Sequence, residues 1–155
     1  MVALLVVDEQ VNTRLLYKDE FEDEGYEVLV AETTEEAMKI IRQSRPDIIT
    51  LDLKIPGTQG IEFLRKVKEE CRIPVVLCSA YAGYKKDSRV GICDAFVVQS
   101  ADFTELKMIV HLILKNGQSD SIPEFSHGKK VKPLRGVTAG KPFTREKVWV
   151  FGYNG

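Results

Sequence analysis

Five short runs of aliphatic and β-branched residues punctuate the first 116 positions of the chain: "ALLVV" (Ala3–Val7), "YEVLV" (Tyr26–Val30), "DIITL" (Asp47–Leu51), "IPVVLC" (Ile73–Cys78) and "DAFVV" (Asp94–Val98). Each is apolar almost throughout rather than at alternate positions, the pattern of parallel strands covered on both faces. Helical patterns lie between and after them at Asn12–Glu24, Thr34–Ser44, Gln59–Glu70 and Asp102–Lys115. The second opens as "TTEEA", where Thr33 or Thr34 can cap free N–H groups and the following acids suit a helix N-terminus. The fragment Ala82–Gly91 has room for about two turns. Strands alternating with helices in this way predict an α/β protein: a doubly wound, parallel five-stranded sheet with right-handed crossovers and helices on both faces. On the last helix, Phe103, Leu106, Ile109, Val110, Ile113 and Leu114 share one face and should cover the sheet. Met108 and Leu112 fall on the opposite side, either as scattered surface apolar residues or as a contact for a partner or a second copy.

Composition narrows the class. The 155 residues, 44% apolar and 29% charged, suit a single globular domain. No apolar run approaches the ~18–20 residues of a membrane helix, and the N-terminus has no basic leader, so a cytoplasmic location is expected. Cys71, Cys78 and Cys93 are odd in number and lack a CxxC spacing, which points to buried thiols in a reducing compartment. The net charge of −1 conceals an asymmetry: residues 1–116 hold 15 Lys/Arg against 20 Asp/Glu, and residues 117–155 hold 7 against 3. An acidic body of residues 1–116 followed by a basic tail of residues 117–155 is the expected division.

The chemistry gathers at the carboxyl ends of the strands, beyond which open α/β sheets place their functional crevice. Those ends read Asp8 and Glu9, then Asp52, then Ser79, then Gln99. Three carboxylates converging from two strands repel one another unless a cation joins them. Hard oxygen donors without His or Cys favour Mg²⁺ or Mn²⁺ over zinc. After Asp52 the chain breaks at Pro56, Gly57 and Gly60, a turn that would expose the carboxylate and free the Lys54 carbonyl to face an ion.

Taken in order, "LLVVDE", "LDLKIPGTQGIEFL", "VLCSA" and "DAFVVQSADFTELK" resemble the receiver domain of two-component response regulators over residues 2 to 116. That resemblance implies a flavodoxin-like (βα)₅ fold and a signalling domain rather than an enzyme. It implies Asp52 as the acceptor of a phosphoryl group from a histidine kinase or phosphotransfer protein. Mg²⁺ would be held by Glu9, Asp52 and the Lys54 carbonyl, with Asp8 binding ligand waters. Ser79 would bond a phosphoryl oxygen, Phe96 would be the aromatic that reports activation, and Lys54 and Tyr81 would tune the lifetime of the acyl phosphate. A partner or homodimer surface on the last helix would fit the family's habit of docking through its fourth and fifth helices. The chain departs from the pattern twice. Glu9 stands where Asp is commoner, and its extra methylene moves the carboxylate ~1.5 Å outward. Gln99 replaces an ion-pairing Lys, and a neutral contact to phosphate is roughly half as strong as a charge-assisted one. Lys54 or the Lys85–Lys86 pair are the nearby cations that would compensate. Without such compensation, the expectation is a degenerate receiver that docks a partner without phosphorylation.

Other classes fit less well. A metal-dependent phosphatase on a similar sandwich would need an acid two residues after Asp52, where Lys54 stands. Neither GxGxxG nor GxxxxGK[ST] occurs. His111 should face solvent, and His127 has no ligand set around it. The tail mixes Phe143, Trp149, Phe151 and Tyr153 with basic residues, but holds no helix-turn-helix to read nucleic acid. A single docking strand is one expectation for it.

Overall fold

The computed structural model describes residues 1–53, 59–81, 83 and 88–117, together with the backbone of 148–149. Five parallel strands form the body of one sheet: β1 (Ala3–Val7), β2 (Glu27–Ala31), β3 (Ile48–Asp52), β4 (Val75–Ser79) and β5 (Ala95–Val98). A two-residue strand, β6 (Val148–Trp149), runs parallel to β5, with Ala95 opposite Val148 and Phe96 opposite Trp149. The order across the sheet is β2-β1-β3-β4-β5-β6. The helices are α1 (Val11–Asp23), α2 (Thr34–Ser44), α3 (Gln59–Lys66) and α4 (Thr104–Asn116).

The near-continuous apolarity of the strands has the expected cause. Alternate side chains go to opposite faces, and both faces are covered. On one, Leu4, Val6, Ile48, Val76 and Val97 meet Tyr17 and Phe21 of α1 and Leu106, Ile109 and Val110 of α4. On the other, Leu5, Ile49, Leu51, Leu77 and Phe96 meet Ala37, Met38 and Ile41 of α2 and Phe63 and Leu64 of α3. Thr33 caps α2: its hydroxyl accepts from the N–H of Glu36 at 3.1 Å, while the Glu36 carboxylate accepts from the N–H of Glu32 at 2.8 Å. Asp94 fastens the start of β4, its Oδ2 accepting from the Val75 N–H at 2.7 Å and from Lys68 Nζ at 2.6 Å.

One element differs from the sequence expectation, and one lies partly outside the described residues. The helix expected to run to Glu70 changes at Val67 to a wider π-helical turn, Val67–Cys71, which ends on Arg72 in the left-handed region at φ 55°. The fourth crossover holds a 3-10 turn, Ser88–Ile92, among its described residues. The face assigned to the last helix is buried or half-buried as expected. Met108 is exposed, Leu112 is half-buried and His111 faces solvent. Among the described residues no helix is long and apolar enough to cross a membrane.

Candidate functional site

The strand order reverses direction between β1 and β3, and at such a switch point the connecting helices leave for opposite faces and open a crevice at the carboxyl edge. Asp8 follows β1 and Asp52 ends β3, so the topology sets one carboxyl on each side of that crevice. They are 2% and 4% exposed, and the two carboxyls lie within hydrogen-bonding reach of each other. Burial raises the Asp8 pKa from 3.8 to about 6, and the neighbouring Asp52 pushes it the same way. The backbone N–H of Gln10, which donates to Asp8 Oδ1 at 2.8 Å, acts against that rise.

Arg14 braces the loop, and its charge also favours the ionised Asp8 carboxyl. Its Nη1 donates to the carbonyls of Asp8 at 2.7 Å and Glu9 at 2.9 Å, and Nη2 lies 3.8 Å from Glu32. Glu9 itself is exposed, so the expected three-carboxylate convergence is realised as a buried pair with a third acid at the surface. Among the described residues no cluster of three acids, His or Cys is poised around one point. Repulsion accounts for the difference: two carboxyls already share a buried crevice, and a third gains more from water than from joining them. Lys54, whose carbonyl completes the expected ligand set, lies outside the described residues, as do Lys85 and Lys86.

The remaining candidates are distributed around this pair. Ser79 is fully buried at the end of β4, and its hydroxyl accepts from the N–H of Tyr81 at 3.1 Å. Tyr81 is 64% exposed and its ring lies over Gly83, where a Cβ would overlap it. Phe96 is completely buried in the core between the sheet and α3. Gln99 follows β5, half-buried, and its N–H donates to the Ser79 carbonyl at 2.9 Å. Two neighbours were not singled out from the sequence. Cys78 sits opposite Asp52 in the β3–β4 register, and Tyr17 of α1 is buried in the same apolar cluster as Cys78. A signal existed for Tyr17: a tyrosine on the inward face of a helix needs a partner for its O–H.

A buried pair of carboxyls with one raised pKa, fed by hard oxygen donors alone, fits a hard divalent cation, which would offset the repulsion that burial leaves uncompensated. Fold and site thus define a class: a doubly wound domain with an acidic crevice at its topological switch point. The chain belongs to the response regulator receiver domain family, whose sequence profile matches residues 4–111. It is 39% identical over 79 residues to the sporulation initiation phosphotransferase F of Bacillus subtilis, a match covering 50% of this chain and 64% of that relative's length. Among solved structures it is similar to the response regulator protein TrrA of Thermotoga maritima in complex with Mg²⁺-BeF, with 36% identity and a TM-score of 0.70 over 73% of this chain and 99% of that one. The complex of TrrA with the histidine kinase ThkA matches with 36% identity and a TM-score of 0.69, over 74% of this chain and 99% of that one.

Proposed function

We propose that Asp52 accepts a phosphoryl group from the phosphohistidine of a histidine kinase or phosphotransfer protein. The observation that carries this reading is the buried Asp8–Asp52 pair at the switch point. A carboxylate oxygen of Asp52 attacks phosphorus, the new O–P bond forms as the P–N bond breaks, and the imidazole departs and is reprotonated. Mg²⁺, held by Asp52 and Glu9 with the Lys54 carbonyl and with Asp8 behind its waters, would neutralise charge on the phosphoryl oxygens. The chain's own task is positioning. Arg14 holds the Asp8–Glu9 loop, the Gln10 N–H orients the Asp8 carboxyl, and the strand tips keep water from surrounding Asp52. Ser79 would leave the Tyr81 N–H to bond a phosphoryl oxygen, and Phe96 and Tyr81 would report or tune that change.

The donor's docking surface is α1, whose first turns follow the Asp8–Glu9 loop directly. Val11, Leu15 and Leu16 are about half exposed there, an apolar patch beside an acidic crevice. The TrrA–ThkA complex supports a kinase as the kind of partner. Gln99 supports a second reading, a receiver that docks without phosphorylation. Incubation with Mg²⁺ and a small phosphodonor separates them. The first reading expects one added phosphoryl group on intact protein, lost in Asp52→Asn; unchanged mass in the wild type leaves the docking module standing.

A further inference from the structure

Ser79 ends β4 fully buried, and the chain reaches the surface by Tyr81, which is 64% exposed. Two contacts fold this segment back on itself. The Tyr81 N–H donates to Ser79 Oγ at 3.1 Å, so the serine oxygen is engaged by its own turn. The Tyr81 ring lies over Gly83, where a Cβ would meet Cε1 and Cζ of the ring and come within 2.6 Å of the phenol oxygen.

Gly83 is not required for its backbone. Its φ lies outside the left-handed region, so a residue with a side chain can adopt the same conformation. Nor does it admit a second backbone, since what stands over it is the far end of a side chain. What the glycine provides is space, and the tyrosine ring fills it. Side-chain rotamer and backbone dihedrals are coupled. A ring seated on Gly83 therefore favours the backbone at Tyr81 that aims its N–H at Ser79. On the proposed reading, Ser79 turns from that N–H toward a phosphoryl oxygen on Asp52. A contact made in only one of two states shifts their balance toward that state by its own free energy.

We propose that Gly83 is a positioning residue, the seat of a latch: lacking a side chain, it takes the Tyr81 ring, which holds Ser79 in its own turn and opposes the phosphorylated state. The glycine acts through Tyr81, and Tyr81 through its N–H on Ser79. The inference rests on the reading of Asp52 as the phosphoacceptor.

The test is Gly83→Ala in the full chain, which drives the ring from its seat at little cost to folding, because the displaced atoms end a rotatable side chain. Two quantities are measured: the N–H and ring resonances of Tyr81 without ligand, and the affinity for beryllofluoride with Mg²⁺, which stands in for the phosphoryl group. The expected result is a shifted Tyr81 ring and N–H, and beryllofluoride bound about two- to fivefold more tightly, the scale set by a ring only about a third covered. Tyr81→Ala should tighten binding as much, and the double variant no further, because both changes open one latch. Unmoved Tyr81 resonances, or a beryllofluoride affinity that is unchanged or weaker in Gly83→Ala, overturn the proposal alone. So does an undiminished effect of Gly83→Ala in the Tyr81→Ala background. A wild type that binds no beryllofluoride overturns the phosphoacceptor reading and this proposal with it. Should Gly83→Ala fail to fold, Tyr81→Ala is read instead: tighter binding supports the latch, and equal or weaker binding overturns it.

Discussion

Asp8 is where burial costs this molecule stability. An unpaired carboxylate can ionise freely at the surface, but this one shares a buried crevice with Asp52, and its pKa rises from 3.8 to about 6. A raised acid binds its proton more tightly in the folded state than in the unfolded one. Its contribution is therefore fully present below about pH 4 and is lost as pH rises through about 6. Asp8→Asn keeps an acceptor for the Gln10 N–H and removes the titrating group. Metal-free variant and wild type should be similar in stability near pH 4, with the variant ahead by about 1–3 kcal/mol at pH 7.5. Urea unfolding at the two pH values measures the difference, and a gap independent of pH would mean that Asp8 is not the strained group. On the proposed reading the order should reverse in Mg²⁺, because a cation whose waters Asp8 would hold stabilises only the chain that keeps that carboxylate. Glu9 shows why residues were the hardest scale to read in advance. The sequence places it next to Asp8 at a strand tip, but the balance of repulsion and hydration that sends it to the surface belongs to the folded crevice. Tyr17 was hidden for a different reason: an inward aromatic at helical spacing reads first as core, and the strand-end Cys78 it is buried with is distant in sequence.

At the scale of elements, period and turn chemistry carried the assignment. All five strands of the body lie within two residues of their apolar runs, because burial on both faces leaves no other composition tolerable. The fourth crossover, "AGYKKDSRVG", lies partly outside the described residues, and its described end holds the 3-10 turn Ser88–Ile92. The start of α2 is legible from "TTEEA" and realised as the Thr33 cap with its returning Glu36 carboxylate. Thr33→Ala should lower stability by about 1 kcal/mol and Thr33→Ser by less, with phosphorylation untouched. Chemical denaturation checks both, and equal losses for the two variants would assign the effect to the methyl group rather than the cap. Asp94 is a second fastening point. It binds the first N–H of β4 and the ammonium of Lys68 with one oxygen, and Asp94→Ala leaves both without that acceptor. A loss of about 1–3 kcal/mol is expected, and Asp94→Asn, which can still accept from Val75, should recover part of it. No recovery would place the energy in the ion pair alone.

For the whole molecule the open question is what the basic tail contributes. Among the described residues, both apolar clusters are drawn from between Leu4 and Leu114 and the candidate site from between Asp8 and Gln99, and the family profile ends at 111. Among the described residues the last helix ends at Asn116, and Gly117 follows it. A chain ending there should keep its cooperative unfolding transition and its phosphorylation rate, with Tm changed by only a few degrees, about what losing one or two kcal/mol means for a domain of this size. Removing the tail does, however, uncover the outer edge of β5, which the parallel pairing of Val148 and Trp149 otherwise meets. A bare edge strand offers unpaired N–H and C=O groups to any other chain. It also changes the charge balance, since the deleted segment holds 7 basic residues against 3 acidic ones and leaves a body with 15 against 20. The two effects oppose each other, because net charge resists self-association while the open edge promotes it. Salt separates them. Sedimentation of the shortened chain should find monomer at low ionic strength and growing association as the repulsion is screened, with the full chain less sensitive because its edge is met from within. Equal behaviour of the two chains across the salt series would mean that the β5–β6 pairing does not guard the edge in solution.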